Sequence, residues 1–172
     1  MEIERKFTVK ELPENLESYP CHIIEQAYLN TDPVVRIRRQ DDEYYMTYKG
    51  KGLLAREEYN LPLNEQSYYH LREKADGNVI SKKRYVIPIS NPQFTATYMS
   101  EHLSDSGISI DSLGLCVELD IFEEPFAPLI IAEVEFPDKK SAEAFLPLDW
   151  FNQDVTNDPA YHNSNLSRKK IL

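Results

Sequence analysis

The chain has few of the residues and segments that define several large protein classes. Its 172 residues contain only two cysteines, Cys21 and Cys116, which are far apart and outside any CxxC pair. This usage predicts reduced, buried thiols in a cytoplasmic protein rather than a disulfide framework. The most apolar run, residues 126–132, contains Pro128 and is too short to cross a bilayer. No apolar signal segment opens the sequence, which also favours the cytoplasm.

Basic charge is scarce as well. The sequence has 19 lysines and arginines against 29 aspartates and glutamates, which gives a net charge of -10 and a pI near 4.9. Nucleic acid and anionic membranes attract basic surfaces, so neither is expected as a partner. The length favours one domain over residues 1–172, acting as a monomer or homodimer.

Several common catalytic motifs are absent from the sequence. Gly50-Lys51-Gly52 lacks the GxxxxGK[ST] pattern of a phosphate-binding loop and is interpreted as a turn. No Ser/His/Asp or Cys/His set stands out. The four histidines have no metal-ligand spacing, so no role is predicted for them.

Runs rich in Tyr, Ile, Val and Thr, separated by Asp, Gly, Pro and Asn, predict a largely β protein. A hairpin turn is predicted at Asp41-Asp42. The predicted strands are residues 2–9, 22–29, 34–39, 44–50, 54–61, 78–89, 115–122 and 130–136.

Helices are predicted at residues 9–16, 64–74, 139–145 and 159–169. Asn64 and Asp158 are the expected N-caps, and Pro159 would occupy the first helical position. Residues 90–114 lack clear periodicity and are interpreted as an insertion with a short helix at 97–103.

Alternation along the predicted strands places charged residues on one face of each strand, because successive side chains point to opposite sides of a sheet. The set is balanced in sign, so the net charge of the protein must lie elsewhere. The seven basic members are Lys6, Arg36, Arg38, Lys49, Arg56, Lys82 and Arg84, and the seven acidic members are Glu2, Glu4, Glu58, Glu118, Asp120, Glu133 and Glu135.

One strand of this kind is typical of an antiparallel sheet with a solvated face. Here, however, several strands carry charges of one sign only: basic in Arg36/Arg38 and Lys82/Arg84, acidic in Glu118/Asp120 and Glu133/Glu135. Like charges two residues apart are roughly 7 Å from each other, which costs about 2 kcal/mol per pair at an effective dielectric of about 20. The strand faces opposite the charged ones are apolar, and we expect helices to pack against them. We therefore expect an α+β fold, a closed sheet with a charged lumen and helices packed outside.

A lumen with basic and acidic zones suits a metal-bound polyphosphate. Arginine and lysine bind phosphate oxygens, and clustered carboxylates bind Mg²⁺ or Mn²⁺. The lumen therefore predicts a small-molecule phosphate ligand and a divalent cation.

The order of the motifs resembles the CYTH superfamily, the triphosphate tunnel metalloenzymes. It begins with the ExExK pattern of Glu2-Ile3-Glu4-Arg5-Lys6. The resemblance covers nearly all of the chain outside residues 90–114, and Asn60 stands where many bacterial members carry an acid. The further motifs are Arg36-x-Arg38, Lys49 before Gly-Lys-Gly, Arg56-x-Glu58, Lys82-x-Arg84, Glu118-x-Asp120, Glu133-x-Glu135, Asp154-Val155-Thr156 and Tyr161-His162-Asn163.

The resemblance implies an eight-stranded antiparallel β-barrel that binds triphosphate and a divalent metal in its tunnel. Catalytic roles are expected for Glu4, Lys6, Arg38 and Glu135. Phosphate binding is expected from Lys6, Arg36, Arg38, Lys49, Arg56, Lys82 and Arg84, metal binding from Glu2, Glu4, Asp120, Glu133 and Glu135, and a place in the tunnel wall for Glu58 and Glu118.

The activity that the resemblance implies is metal-dependent hydrolysis of a triphosphate, above all inorganic tripolyphosphate. Thiamine triphosphate hydrolysis and a class IV adenylyl cyclase activity are the alternatives within the same fold. A module that binds polyphosphate or nucleotide without turnover is the alternative from another class.

Overall fold

The computed structural model describes residues 1–52, 54–106 and 113–170. In these residues ten strands form one antiparallel sheet, accompanied by four α-helices. The strands are β1 (Glu2–Val9), β2 (Cys21–Thr31), β3 (Val34–Gln40), β4 (Glu43–Lys49), β5 (Ala55–Arg56), β6 (Glu58–Leu63), β7 (Asp76–Pro88), β8 (Cys116–Phe122), β9 (Ile130–Glu135) and β10 (Phe151–Asp154). The helices are α1 (Glu65–Arg72), α2 (Ala96–Ser106), α3 (Lys139–Ala144) and α4 (Asn163–Arg168).

The sheet closes on itself around a tunnel. Its order is β10-β1-β9-β8-β7-β2-β3-β4-β6. The short β5, which directly precedes β6 in the chain, pairs with β1, where Arg56 lies opposite Glu2. If β5 and β6 are counted as one bent strand, nine strands remain, one more than the eight that the resemblance implies. The second edge of β1 is shared between β5 near Glu2 and β10 near Phe7. The predicted antiparallel barrel with outer helices is therefore confirmed.

The alternating runs become strands close to where the sequence predicts them, and the turn at Asp41-Asp42 joins β3 to β4, with Asp41 at a φ of 52°. The predicted N-caps also form, since the side chains of Asn64 and Asp158 accept main-chain N–H bonds from Ser67 and Ala160. Such bonds satisfy donors that have no partner inside the helix.

Two predicted helices differ from the structure, and one observed strand was not predicted. The helix predicted at 9–16 is wrong, since β1 runs to Val9 and only a 3₁₀ turn, Leu16–Ser18, follows. The helix predicted at 159–169 is interrupted at His162, between a 3₁₀ turn and α4. Strand β10 was not predicted, because its sequence Phe-Asn-Gln-Asp has no apolar alternation.

The outer faces of the strands are covered unevenly. Tyr68 of α1 is fully buried against β3 and β4, while α3 packs on β1. By contrast Tyr48, Tyr59 and Leu61 on the outside of β4 and β6 are exposed, so the expectation that helices cover every apolar face is wrong there. The cysteines are free as predicted but not buried, since Cys21 is exposed and Cys116 partly so.

The predicted insertion at 90–114 is packed into the rest of the chain where it is described. Phe94 is buried in the main core and forms a β-bridge with Phe145, while Tyr98 stacks on Phe94. We propose on this basis that the chain folds as one domain. Residues 107–112 of that segment lie outside the described residues. Within the described part, no helix is long and apolar enough to cross a membrane.

Helix α4 closes one end of the barrel. Leu166 is buried with Tyr28, Val34 and Ile80, which come from three neighbouring strands, and the amide of Asn78 donates to the carbonyl of Lys169 at 2.7 Å. Gly77 lies directly against this helix. Its φ is +73°, and a Cβ at this position would collide with the carbonyl of Ser167.

Replacing Gly77 by alanine should therefore lower the free energy of unfolding by about 1–3 kcal/mol, through a strained backbone and the displacement of α4. Urea unfolding measures the change. Gly114→Ala is the matched control, because Gly114 also has a positive φ of +58°, but no described residue lies within 4 Å of an added Cβ. Equal losses in the two variants would show that the contact with α4 is unimportant.

Candidate functional site: a charged tunnel

The tunnel interior holds the charged residues that alternation placed on one face of each strand. It encloses a cavity of about 220 Å³. Twelve of the fourteen predicted charges line this cavity. The other two, Lys82 and Asp120, are fully buried behind Arg84 and do not reach its surface. The twelve are Glu2, Glu4, Lys6, Arg36, Arg38, Lys49, Arg56, Glu58, Arg84, Glu118, Glu133 and Glu135.

Ion pairs across the strands neutralise part of this set. The ammonium of Lys6 lies 2.8 Å from Glu4 and also contacts Glu133. Burial disfavours the charged form of Lys6, but Glu133 and Glu4 outweigh burial and raise its pKa. Lys6 is therefore cationic and held between two acids.

A second group of pairs lies where β1, β4 and β6 meet. Lys49 is 2.7 Å from both Glu2 and Glu58, and Arg56 binds Glu2 and Glu4. Burial, followed by repulsion from Arg36, nevertheless lowers the pKa of Lys49. A bound anion would stabilise the charged form of Lys49.

Arg84 is held by three carboxylates. It binds Asp120 through Nε at 2.6 Å, Glu133 through Nη2 at 2.7 Å, and Glu118. Asp120 also binds Lys82, whose pKa is lowered to about 8 by burial even though Asp120 favours its charge. Both oxygens of Asp120 are thus occupied by protein partners, and these two residues orient Arg84 from behind.

Arg36 and Arg38 on β3 differ from the other basic residues. Both are buried, and neither pairs with a carboxylate among the described residues. Arg36 donates to the hydroxyl of Thr47 at 3.0 Å and interacts with the hydroxyl of Tyr28, while its buried Nε has no hydrogen-bond partner in the described part of the chain. Burial and then the charge of Arg38 lower the pKa of Arg36. Two unneutralised guanidinium groups therefore face the cavity.

Negative charge is in excess around Glu135. Burial, and then the charges of Glu2, Glu118, Glu4 and Glu58, raise the pKa of its carboxyl group. No basic side chain forms an ion pair with Glu135 among the described residues. The described side chains hold no three His, Cys, Asp or Glu groups already converged as a metal site, since most acids are bound by lysine or arginine. The donors fit a hard divalent cation in chemistry and charge, because they are carboxylate oxygens that repel one another.

The structure adds residues that the sequence patterns missed. Gln26 is fully buried and accepts two hydrogen bonds from Arg38, at 2.8 and 3.1 Å, so it fixes that guanidinium. Tyr28 and Tyr45 line the cavity. The alternation of β2 could have revealed Gln26 and Tyr28, which share one face. His162, for which no role was predicted, lines the cavity with Asn163 and Ser164.

Beyond Arg36 and Arg38, the cavity continues into a wider groove at the end of the barrel where β3 turns into β4. The groove has a volume of about 670 Å³ and a mixed surface. Tyr44, Tyr45, Pro62 and Leu63 supply its apolar part. Because α4 fills the other end, this groove is the open mouth of the tunnel.

Comparison with known proteins identifies the family. A model of the CYTH domain matches residues 1–139, and the chain belongs to the CYTH family. The resemblance deduced from the sequence motifs is therefore confirmed. Membership implies a divalent metal.

Two curated relatives and one solved structure show how similar the chain is to characterised members. It is 35% identical over 170 residues to the inorganic triphosphatase of Nitrosomonas europaea, which covers 96% of each chain. It is 31% identical over 169 residues to that of Acetivibrio thermocellus, covering 96% of this chain and 92% of the relative. The crystal structure of the inorganic triphosphatase NE1496 superposes with a TM-score of 0.63 at 29% identity, covering 99% of this chain and 96% of the other.

Proposed function

We propose that the chain is a divalent-metal-dependent triphosphatase that hydrolyses inorganic tripolyphosphate. The observation that carries the proposal is the pair of buried, unneutralised guanidinium groups of Arg36 and Arg38, which face an acidic group around Glu135 in one cavity. A ligand that satisfies both zones has several anionic oxygens and a bound cation. The two curated inorganic triphosphatases named above support this choice.

The basic residues of the cavity would hold the phosphates. Arg36 and Arg38 offer planar donor groups that match phosphate oxygens, and Gln26 keeps Arg38 in place for them. Lys6, Lys49, Arg56 and Arg84 would add charge around the same anion while remaining tethered to carboxylates. Groups fixed in this way stabilise charge that develops during reaction without having to reorganise. Lys82 would contribute indirectly, through Asp120 and Arg84.

The acidic residues would hold Mg²⁺ or Mn²⁺, the hard cations that share oxygen ligands with phosphates. Glu2, Glu4, Glu133 and Glu135 reach the cavity and are the proposed ligands, with Glu58 and Glu118 beside them. Asp120 is proposed to act through Arg84. When bound, such an ion polarises a phosphoryl oxygen and neutralises negative charge. Glu4, Lys6, Arg38 and Glu135 are the proposed catalytic residues.

One observation favours a second candidate, hydrolysis of an organic triphosphate. The groove at the tunnel mouth places Tyr44, Tyr45, Pro62 and Leu63 next to the two arginines that form no ion pair with a described residue. An aromatic base or a thiazolium ring could rest on that surface while its phosphates enter the tunnel. The same assay separates the two candidates.

Phosphate release from tripolyphosphate, pyrophosphate, ATP and thiamine triphosphate should be measured with Mg²⁺ and with Mn²⁺. We expect tripolyphosphate to be the best substrate and pyrophosphate a poor one, because the row of basic residues is longer than a diphosphate needs. EDTA should abolish turnover. Faster hydrolysis of ATP or thiamine triphosphate would favour the organic candidate, while binding without any phosphate release would indicate a non-catalytic module.

A further inference from the structure

The motif Asp154-Val155-Thr156 lies at the junction of β1, β10 and the segment that leads to α4. Thr156 is 4% exposed, and its hydroxyl accepts the main-chain N–H of Lys6 at 3.0 Å. Its own carbonyl lies 3.2 Å from Nε2 of His162. Thr156 therefore contacts both Lys6 and His162, two residues that line the cavity.

Asp154 fixes Thr156 in turn. One oxygen of Asp154 accepts the N–H and the hydroxyl of Thr156, and the other accepts two bonds from Arg5, at 2.7 and 3.1 Å. Arg5 also donates to the carbonyls of Ala142 and Phe145 at the end of α3. The guanidinium of Arg5, outside the tunnel, is thus linked by hydrogen bonds through Asp154 and Thr156 to Lys6 and His162, which line the cavity. A carboxylate saturated in this way holds the threonine in one rotamer.

His162 is close to the proposed phosphate site. Its pKa is lowered by burial, and the positive charges of Lys6 and Arg56 act in the same direction. Because Nε2 donates its N–H to the Thr156 carbonyl, Nδ1 of the neutral ring is a hydrogen-bond acceptor, which suits a protonated oxygen of a terminal phosphate. The position of this nitrogen depends on where the Thr156 main chain lies.

We propose that Thr156, oriented by Asp154, is a positioning residue that holds Lys6 and His162 against the same end of the bound triphosphate, and that His162 contacts that end. This inference rests on the proposed triphosphatase function. It gives a role to the Asp154-Val155-Thr156 motif, whose residues are not among the proposed phosphate or metal ligands.

The test is steady-state hydrolysis of tripolyphosphate by Thr156→Val, which keeps the shape of the side chain and removes its hydroxyl. We expect KM to rise about tenfold with a much smaller change in kcat, because the contacts that are lost bind substrate rather than act only in the transition state. Thr156→Ser should restore the wild-type KM. As a single substitution, His162→Ala should also raise KM. In the Thr156→Val background the same substitution should raise KM by a smaller factor, since Thr156 acts through His162.

Thr8→Val is the matched control. Thr8 lies on the same strand, and its hydroxyl accepts the N–H of Gln153 of β10 at 3.1 Å, but Thr8 does not line the cavity. It should lower the melting temperature as Thr156→Val does and leave KM unchanged. An unchanged KM in Thr156→Val, or an equal rise in Thr8→Val, would overturn the inference alone. A wild-type protein that does not hydrolyse tripolyphosphate would overturn the proposed function and this inference with it.

Discussion

Arg36→Met should nearly abolish hydrolysis of tripolyphosphate while leaving the ligand-free protein as stable as the wild type or more so. The guanidinium is buried beside Arg38 and forms no ion pair with any carboxylate in the described part of the chain, so in the free protein it is a source of repulsion. Two such charges roughly 7 Å apart cost about 2 kcal/mol at an effective dielectric of about 20. Methionine keeps the apolar stem, and Thr47 keeps Asn60 as a hydrogen-bond partner.

The functional loss should be much larger than any change in stability. Removing one fixed donor from a site of developing charge typically lowers kcat about 10²–10³-fold. The thermal shift produced by Mg²⁺ and a non-hydrolysed triphosphate analogue should shrink as well, because a ligand stabilises the native state only in proportion to its binding, by about 2.7 kcal/mol at one hundred times Kd.

Arg39→Met is the control for Arg36→Met. Arg39 follows on the same strand but points outward, where it donates to Tyr69 at 3.2 Å. It should leave both kcat and the thermal shift unchanged. If Arg36→Met hydrolyses tripolyphosphate at the wild-type rate, the free guanidinium is not a phosphate ligand and the central proposal fails.

Glu135→Gln should lower the rate of metal-dependent hydrolysis about a hundredfold or more, because a bound cation supplies several kcal/mol of charge stabilisation. In the metal-free protein, by contrast, the substitution should raise the free energy of unfolding. The carboxyl group of Glu135 has a raised pKa because it is partly buried among four other acids. Its ionised form therefore destabilises the native state.

The pH dependence follows from that shift. At low pH the carboxyl is protonated in both the folded and unfolded states. As pH rises, the unfolded state releases its proton first, near the ordinary glutamate pKa, while the folded state retains it to a higher pH. Over that interval the unfolded state binds fewer protons, so the free energy of unfolding falls as pH rises. Glutamine does not titrate, so Glu135→Gln should be more stable than the wild type above this interval and equal to it below.

Unfolding in EDTA at pH 4 and pH 7.5, with tripolyphosphate hydrolysis measured separately in Mg²⁺, checks both halves of this prediction. Glu143→Gln, on the exposed side of α3, is the control and should change neither quantity. A Glu135→Gln protein with the wild-type rate at saturating metal would remove this carboxylate from the proposed metal site.

The sequence by itself determined which side of each strand faces the tunnel. Alternation has a period of two, so a strand such as β3 must place Arg36 and Arg38 together and Ile37 opposite, whatever its neighbours are. The signs of the charges were therefore predictable strand by strand, and so was the barrel that encloses them. Where the alternation is missing, as in β10, the prediction failed.

Only the tertiary structure decided which charges are neutralised. Lys6 and Glu133 are 127 residues apart in sequence, and they meet because β1 pairs with β9 in one register. Among the described residues, Arg36, Arg38 and Glu135 have no oppositely charged partner, although nothing in their local sequence distinguishes them. The place of His162 likewise depends on α4 burying Leu166 in the end of the barrel. Alternation is a local property of the chain, whereas ion pairing and closure of the tunnel depend on registers and contacts between distant segments.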